Sequence, residues 1–155
     1  MNDFILCEIS DQGASHIECK MTLDDVISSV KYNNVSLKVR GNLRKWNSEK
    51  YFSFEALNDI PGFLEITGRD NNPHQNCEKG GLLMYCWAND SSSPWHKFVS
   101  DNVNWKDEFN NEPCARSQSG IMLLNDPIIK FFKSVGAKKI WVNRQNAILR
   151  GKPRS

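Results

Sequence analysis

The sequence predicts a single α+β domain: an antiparallel or mixed sheet, built mostly of hairpins, with about three short helices packed on it. The chain has 155 residues, of which 39% are hydrophobic and 25% charged, as expected for an ordinary domain with one core. Apolar and polar residues alternate over many short stretches, which is the period of a strand, and three other stretches have helical spacing. We expect the globular domain to cover residues 1–149, followed by a basic tail at 150–155.

Strands are predicted where apolar and polar residues alternate, or where a short apolar run lies between turn residues. These stretches are residues 3–9, 15–20, 35–40, 43–46, 51–57, 62–67, 82–87, 121–124, 139–142 and 147–149. Three pairs of neighbouring strands are expected to form hairpins through turns at 11–13, 47–50 and 143–146. The run 82–87 is expected to be the central strand, because a strand covered on both faces is apolar throughout.

The first helix is predicted over residues 22–32. Thr22 and Asp25 resemble a capping box, and acidic side chains suit the positive end of a helix. An apolar stripe at helical spacing follows, and it consists of Leu23, Val26, Ile27 and Val30. This pattern is typical of a short amphipathic helix.

Two further helices are predicted to begin at a proline that follows a capping residue. Ser93–Pro94 would begin a helix over about 94–102, and Asp126–Pro127 would begin one over 127–135. The helices at 22–32 and 127–135 are expected to pack on one face of the sheet.

The cysteines and the N-terminus predict a soluble protein of the cytoplasm that does not enter a membrane. Asp3 and Glu8 interrupt the N-terminal apolar residues, which favours a strand over a signal peptide. No stretch approaches the roughly 18 apolar residues of a membrane span. The five cysteines form an odd set at irregular spacings, which is typical of a reducing compartment. They are Cys7, Cys19, Cys77, Cys86 and Cys114.

Charged residues are segregated along the chain although the net charge is only +2. Residues 1–30 carry −5, residues 31–50 carry +5, residues 51–126 carry −6 and residues 127–155 carry +8. Such blocks either form separate faces that attract partners of opposite charge, or neutralise one another in the fold. The sequence leaves both arrangements open.

Motif searches predict no catalytic residue, cofactor or metal site. No phosphate-binding loop or nucleophile elbow is present. A thiolate pair of Cys114 with His96 is conceivable only by chance proximity. The best metal candidate is His74 with Cys77, but zinc needs four converging ligands and only one close pair exists.

An acidic, tryptophan-rich region between residues 70 and 112 is the first candidate binding surface. Tryptophan is a frequent hot-spot residue, and an acidic rim attracts a basic protein. The predicted partner-binding residues are Asp90, Trp95, Asp101, Trp105, Asp107 and Glu108. Trp105, which lies between polar neighbours, is expected to be the most exposed tryptophan.

A basic, aromatic region is the second candidate surface, and single-stranded nucleic acid is its expected ligand. Basic side chains on the wet face of a strand, beside aromatic rings, track a phosphate backbone and stack on bases. The residues are Lys38, Arg40, Arg44, Lys45, Trp46 and Tyr51. Solubilising lysines at a sheet edge would give the same pattern.

The function predicted from sequence is that of a small intracellular binding or inhibitor protein with a basic protein partner. An immunity protein that neutralises a nuclease toxin is one example of that class. A single-stranded RNA-binding module is the alternative. An uncharacterised hydrolase or nuclease is the third hypothesis. It ranks last because no motif identifies an active site.

Overall fold

The computed structural model describes residues 13–45, 47–71, 81–116 and 126–154. This part of the chain forms eleven strands and one helix. The strands are β1 (Ala14–Asp24), β2 (Val26–Tyr32), β3 (Val35–Ser36), β4 (Lys50–Leu57), β5 (Leu64–Arg69), β6 (Gly81–Ala88), β7 (Phe98–Val99), β8 (Trp105–Asp107), β9 (Cys114–Arg116), β10 (Lys139–Trp141) and β11 (Asn146–Gly151). The helix, α1, is Asp126–Ser134.

The strands form two antiparallel sheets. The first sheet has the order β4-β1-β6-β10-β9, with β7 beside β6, and the second has the order β3-β2-β5-β11-β8. Only Asp25 separates β1 from β2, so the chain passes from one sheet to the other at that residue. Strand β1 in the first sheet and strand β2 in the second are therefore almost continuous in sequence.

The main core lies between the two sheets. It combines alternate residues of the first sheet with alternate residues of the second, as facing sheets require. Its members include Ile17, Met21, Leu82 and Met84 from the first sheet and Ile27, Val30, Ile66 and Leu149 from the second. We call the opposite side of the first sheet its outer face. There, α1 buries Ile128 and Phe132 against Leu83 of β6.

The predicted α+β class with about three helices is therefore wrong, and the protein is mostly β. Residues 22–32 form the end of β1 and all of β2. A β-bulge in β2 gives them an apolar spacing that resembles that of a helix. The register of β2 against β5 shifts between Ile27 and Ser29, so that Ile27 and Val30, three residues apart, both reach the core. The same apolar pattern fits either a helix or a bulged strand.

The predicted helix at 94–102 is also wrong. Ser93 does act as a local cap, since its hydroxyl accepts a hydrogen bond from the amide of Trp95 at 3.2 Å. The chain then turns sharply, because Lys97 has a φ of 62°. It continues as β7, which pairs with β6.

Several predicted elements are confirmed. Helix 127–135 is present as α1, and its last turn is followed by Gly136 with a φ of 79°. The strand at 82–87 is present as β6 and occupies the middle of the first sheet. Strands at 15–20, 51–57 and 147–149 are present within β1, β4 and β11.

Two of the three predicted hairpins, those with turns at 47–50 and 143–146, are wrong. Residues 43–45 form a turn and not a strand, and β10 and β11 lie in different sheets. Strand β11 also extends through Gly151, into the predicted tail. The strands predicted at 3–9 and 121–124 lie outside the described residues.

The three cysteines among the described residues, Cys19, Cys86 and Cys114, form disulfides, so their interpretation as reduced thiols is wrong. Cys19 of β1 and Cys86 of β6 face each other in the central strand pair and are bonded. Cys114 is disulfide-bonded as well. Both Cys19 and Cys86 are fully buried in the core. Among the described residues, no helix is long and apolar enough to cross a bilayer.

Candidate binding surfaces

Two of the three tryptophans of the acidic region, Trp95 and Trp105, are core residues. Trp95 and Trp105 are each 0% exposed, so the prediction that Trp105 lies at the surface is wrong. Trp105 is an inward-facing residue of β8, and its polar neighbours alternate outward. Its indole N–H donates to the carbonyl of Val99 at 3.1 Å, which permits burial of the ring. Gly151 lets the ring approach the backbone, since a Cβ there would lie 2.4 Å from the indole.

Asp107 and Glu108 are held in place by Arg144. The carboxylate of Asp107 accepts hydrogen bonds from the amides of Phe109 at 2.9 Å and Asn111 at 2.8 Å, and it contacts Arg144 at 3.2 Å. Burial opposes ionisation of Asp107, but the two amides and the guanidinium outweigh it and lower its pKa. Glu108 binds the same guanidinium. These two acids therefore organise the turn after β8.

Asp90 and Asp101 serve local turns elsewhere in the same region. The carboxylate of Asp90 accepts hydrogen bonds from the amide and hydroxyl of Ser92 at 3.0 and 2.8 Å. The carboxylate of Asp101 accepts from the amides of Val103 and Asn104 at 2.9 and 2.7 Å. The six predicted partner-binding residues thus form separate local structures, with core rings between them, and not one acidic rim.

The basic residues of the second candidate surface are displayed on one short segment, residues 37–45, which we call the basic segment. Its four basic side chains are exposed, and they are Lys38, Arg40, Arg44 and Lys45. Tyr51 is half-buried and pairs with Arg40 through two backbone hydrogen bonds of 2.8 and 3.0 Å. Trp46 lies outside the described residues.

Lys50 fixes the end of the basic segment from inside the fold. Its side chain is 0% exposed, and its ammonium donates to the carbonyls of Lys45 and Ser48, the latter at 2.8 Å. Burial lowers the pKa of Lys50 to about 8, against the opposing charge of Asp24. Lys50 therefore has a structural role and is not part of the exposed charge.

The outer face of the first sheet carries a charged cluster that the sequence analysis missed. His16 of β1 contacts Glu55 of β4 through Nδ1 at 2.5 Å and Glu18 through Nε2 at 2.6 Å. Hydrogen bonds to Glu55 and then Glu18 raise the pKa of His16. Both ring nitrogens can donate to these carboxylates when the imidazole is protonated. Arg40 reaches the same cluster, 3.7 Å from Glu18.

Aromatic residues lie beside this cluster. Trp87 of β6 is directly opposite Glu18, and it stacks on Tyr85 with ring centres 5.6 Å apart. Tyr85 meets Phe131 of α1 edge-on, and the ammonium of Lys20 lies 4.0 Å from the centre of the Phe131 ring. Trp87 and Tyr85 are both partly exposed. The outer face beyond α1 is therefore mixed aromatic and charged.

Sequence alone gives a partial signal for this face. The alternation in β1 separates His16, Glu18 and Lys20 from the buried residues between them, so their shared face is predictable. Their neighbours across the sheet are not, because β4 and β6 are distant in sequence and hairpin pairing was expected. The apolar run of β6 also concealed that Trp87 faces outward.

A buried acid cluster lies where the chain crosses between the sheets. Asp24 hydrogen-bonds to Asp25, and Asp70, which is 3% exposed, acts on Asp24 through its charge. Burial, followed by the hydrogen bond and charge of Asp25, raises the pKa of Asp24 to about 8, while Lys139 acts in the opposite direction. Asp25 in turn accepts a hydrogen bond from the amide of Asn71 at 2.7 Å.

We expect Asp24→Asn to reduce the pH dependence of stability. The folded pKa of Asp24 lies above its ordinary value of 3.8, so the folded state binds more protons than the unfolded state up to about pH 8. Stability should therefore fall as pH rises through this window. Asparagine cannot ionise, and the variant should exceed wild type by about 1 kcal/mol near pH 8 after solvent screening of a half-exposed carboxyl.

Urea unfolding at about pH 5 and about pH 8 measures the effect. Asp59→Asn, which replaces an exposed loop carboxyl, is the control and should keep the wild-type pH dependence. The same fall in stability for wild type and Asp24→Asn would contradict the prediction.

The described residues contain no group of three or more His, Cys, Asp or Glu side chains arranged to hold a metal ion. Cys86 cannot be a ligand, because its sulfur is in a disulfide. Cys114 is also oxidised, so the thiolate pair with His96 is excluded in this state. His74 and Cys77 lie outside the described residues.

Comparisons with protein families, with curated proteins and with solved structures give no match. The class of the protein is therefore argued from its surfaces.

Proposed function

We propose that the protein is a small binding protein that holds a protein partner on the outer face of the first sheet. One observation carries this proposal: Trp87 is partly exposed, stacked on Tyr85 and directly opposite Glu18. Tryptophan and tyrosine dominate the energy of protein interfaces when they lie together at the centre of a patch. Their burial by a partner would also remove apolar surface from water.

The acidic region supports the proposal less well than it did in the sequence. Two of its three tryptophans, Trp95 and Trp105, lie in the core, and Asp107 and Glu108 bind Arg144. A partner would have to displace those internal contacts before it could use the charges. Breaking these ion pairs would leave the charge of Arg144 without its partners, which would cost binding energy.

The charges on the outer face nearly balance. Glu18 and Glu55 are opposed by protonated His16 and by Arg40. Electrostatics of this kind orients a partner more than it attracts one. Only the two glutamates still support a basic protein as the partner. An inhibitor such as an immunity protein is one kind of binding protein that fits this proposal.

The disulfides bear on the compartment. The cytoplasmic location was inferred from cysteines that were expected to be reduced, whereas Cys19 and Cys86 are joined. Structural disulfides persist in oxidising compartments and are rare in the cytosol. We therefore propose that the protein works in an oxidising compartment, in place of the cytoplasm.

Affinity capture with matched variants tests the binding face. Immobilised wild type and Trp87→Ala should differ strongly: loss of a hot-spot ring weakens binding by about 2 kcal/mol or more, or roughly 30-fold. Phe109→Ala removes another exposed ring, in the turn after β8, and should bind as wild type does. The captured partner is then titrated against all three proteins.

Retention of the partner by Trp87→Ala, or its loss by Phe109→Ala, would show that the binding face is elsewhere. Thermal unfolding of both variants confirms that any loss of binding occurs in folded protein.

A further inference from the structure

We propose that the basic segment is a polyanion-binding surface and that its ligand is a sulfated polysaccharide. The segment contains four basic residues and no acid between residues 37 and 45. All four side chains are exposed. A surface of one sign attracts a polymer of the other, because each neutralised charge releases counterions from the polymer.

The fold presents these charges on an ordered backbone. Leu37, Val39 and Leu43 pack against the main core and anchor the segment from below. The amide of Leu37 donates to the carbonyl of Val30 at 2.9 Å. Because the anchors alternate with the basic residues, Lys38 and Arg40 point away from the core on the same side.

Neighbouring acids leave most of this charge uncancelled. Glu49, which follows the segment, is engaged by Lys20 at 3.0 Å. Glu18 lies 3.7 Å from Arg40 and shares its other oxygen with His16. The described residues include no ion pair with Lys38, Arg44 or Lys45. These three side chains are therefore the accessible cations of the segment.

Two observations favour a sulfated polysaccharide over the single-stranded nucleic acid expected from sequence. Base recognition requires open aromatic faces, but Tyr51 is half-buried and lies 5.7 Å from the ammonium of Lys20. The disulfide between Cys19 and Cys86 also favours an oxidising compartment over the cytosol, where a protein would meet RNA. Separate cations suit a regular row of sulfate groups.

The test uses a sulfated heparin hexasaccharide, its desulfated form and a single-stranded RNA of equal charge. Wild type is titrated with each ligand over a range of salt concentrations. The test variant is Lys38→Ala/Arg44→Ala/Lys45→Ala, which leaves Arg40 and its backbone bridge intact. The control is Lys130→Ala/Lys133→Ala/Lys138→Ala, which removes three exposed lysines on and just after α1.

Wild type and the control should bind the sulfated hexasaccharide alike, with affinity falling steeply as salt rises. The test variant should bind at least tenfold more weakly at low salt, and its salt slope should be shallower by about two to three units, roughly one for each lost cation. The desulfated form should not bind. If the triple variant is unstable in thermal unfolding, Lys38→Gln should still reduce the slope by about one unit.

Equal losses in the test and control variants would overturn the proposal, as would no binding by wild type at low salt. Tighter binding of RNA than of the sulfated ligand would overturn the ligand class. Because Trp87 is unchanged in all these proteins, capture of a protein partner stays a separate measurement, and either proposal can fail alone.

Discussion

Replacement of Trp95 by alanine is expected to lower the free energy of unfolding by about 3–5 kcal/mol, the usual cost of removing a large aromatic side chain from a core. Trp95 is fully buried, and its ring centre lies 5.1 Å from that of Phe54 and 4.7 Å from that of Phe98. Its indole N–H donates to the carbonyl of Pro61 at 2.7 Å, so the variant also loses this hydrogen bond, while the hydroxyl of Tyr32 still donates to the same carbonyl.

Denaturant unfolding followed by circular dichroism measures this loss. Trp87→Ala is the matched control, because Trp87 is partly exposed, and it should cost about 1 kcal/mol or less. Trp95→Phe should recover part of the packing but not the hydrogen bond to Pro61. Similar losses for Trp87→Ala and Trp95→Ala would show that the burial difference between the two rings is not as described.

Loss of the disulfide between Cys19 and Cys86 is expected to cost about 2–4 kcal/mol, because the bond closes a long loop in the unfolded chain. The two cysteines are 67 residues apart in sequence. They also join β1 to β6, the two longest neighbouring strands of the first sheet. The double variant Cys19→Ala/Cys86→Ala tests this by denaturant unfolding.

The single variants provide the internal check. Cys19→Ala and Cys86→Ala should each lose nearly as much stability as the double variant, since either change removes the same bond. Two small losses that add up to the double-variant value would argue against the cross-link. Peptide mapping of the oxidised protein should recover Cys19 and Cys86 in one linked fragment.

The fold was predictable where local sequence and tertiary structure agree. The capping pattern at Asp126–Pro127 and the apolar spacing of the next residues are satisfied by α1, which packs on the outer face through Ile128 and Phe132. The run 82–87 identified the central strand for the same reason. The helical spacing of α1 matches its one buried face, and the apolar run of β6 matches its two covered faces.

Prediction failed where long-range pairing decides the outcome. Val26, Ile27 and Val30 have the spacing of a helix, but the bulge against β5 and the crossing of the chain at Asp25 place them in a sheet. Trp105 has polar neighbours in sequence, yet β8 pairs with β11 and turns the ring onto Gly151. Pairing partners distant in sequence leave no local pattern.

The two candidate binding surfaces also differ in how well they could be predicted from the sequence. The exposure of Lys38 could be expected from the alternation of residues 35–40, although the role of the basic residues in binding is still a prediction. The cluster of His16, Glu18 and Glu55 depends on the pairing of β1 with β4, which lie far apart in sequence. The sequence shows which of these side chains can carry charge, but it does not show that they contact one another.

The internal position of Lys50 has a consequence for the affinity of the basic segment. Its ammonium binds the carbonyls of Lys45 and Ser48, and apolar anchors hold the opposite end, so the backbone is preorganised before any ligand arrives. A disordered segment would lose about 1–2 kcal/mol of conformational entropy per residue on binding. Here that loss has already occurred during folding, and three ordinary surface cations can bind as strongly as a longer flexible basic tail.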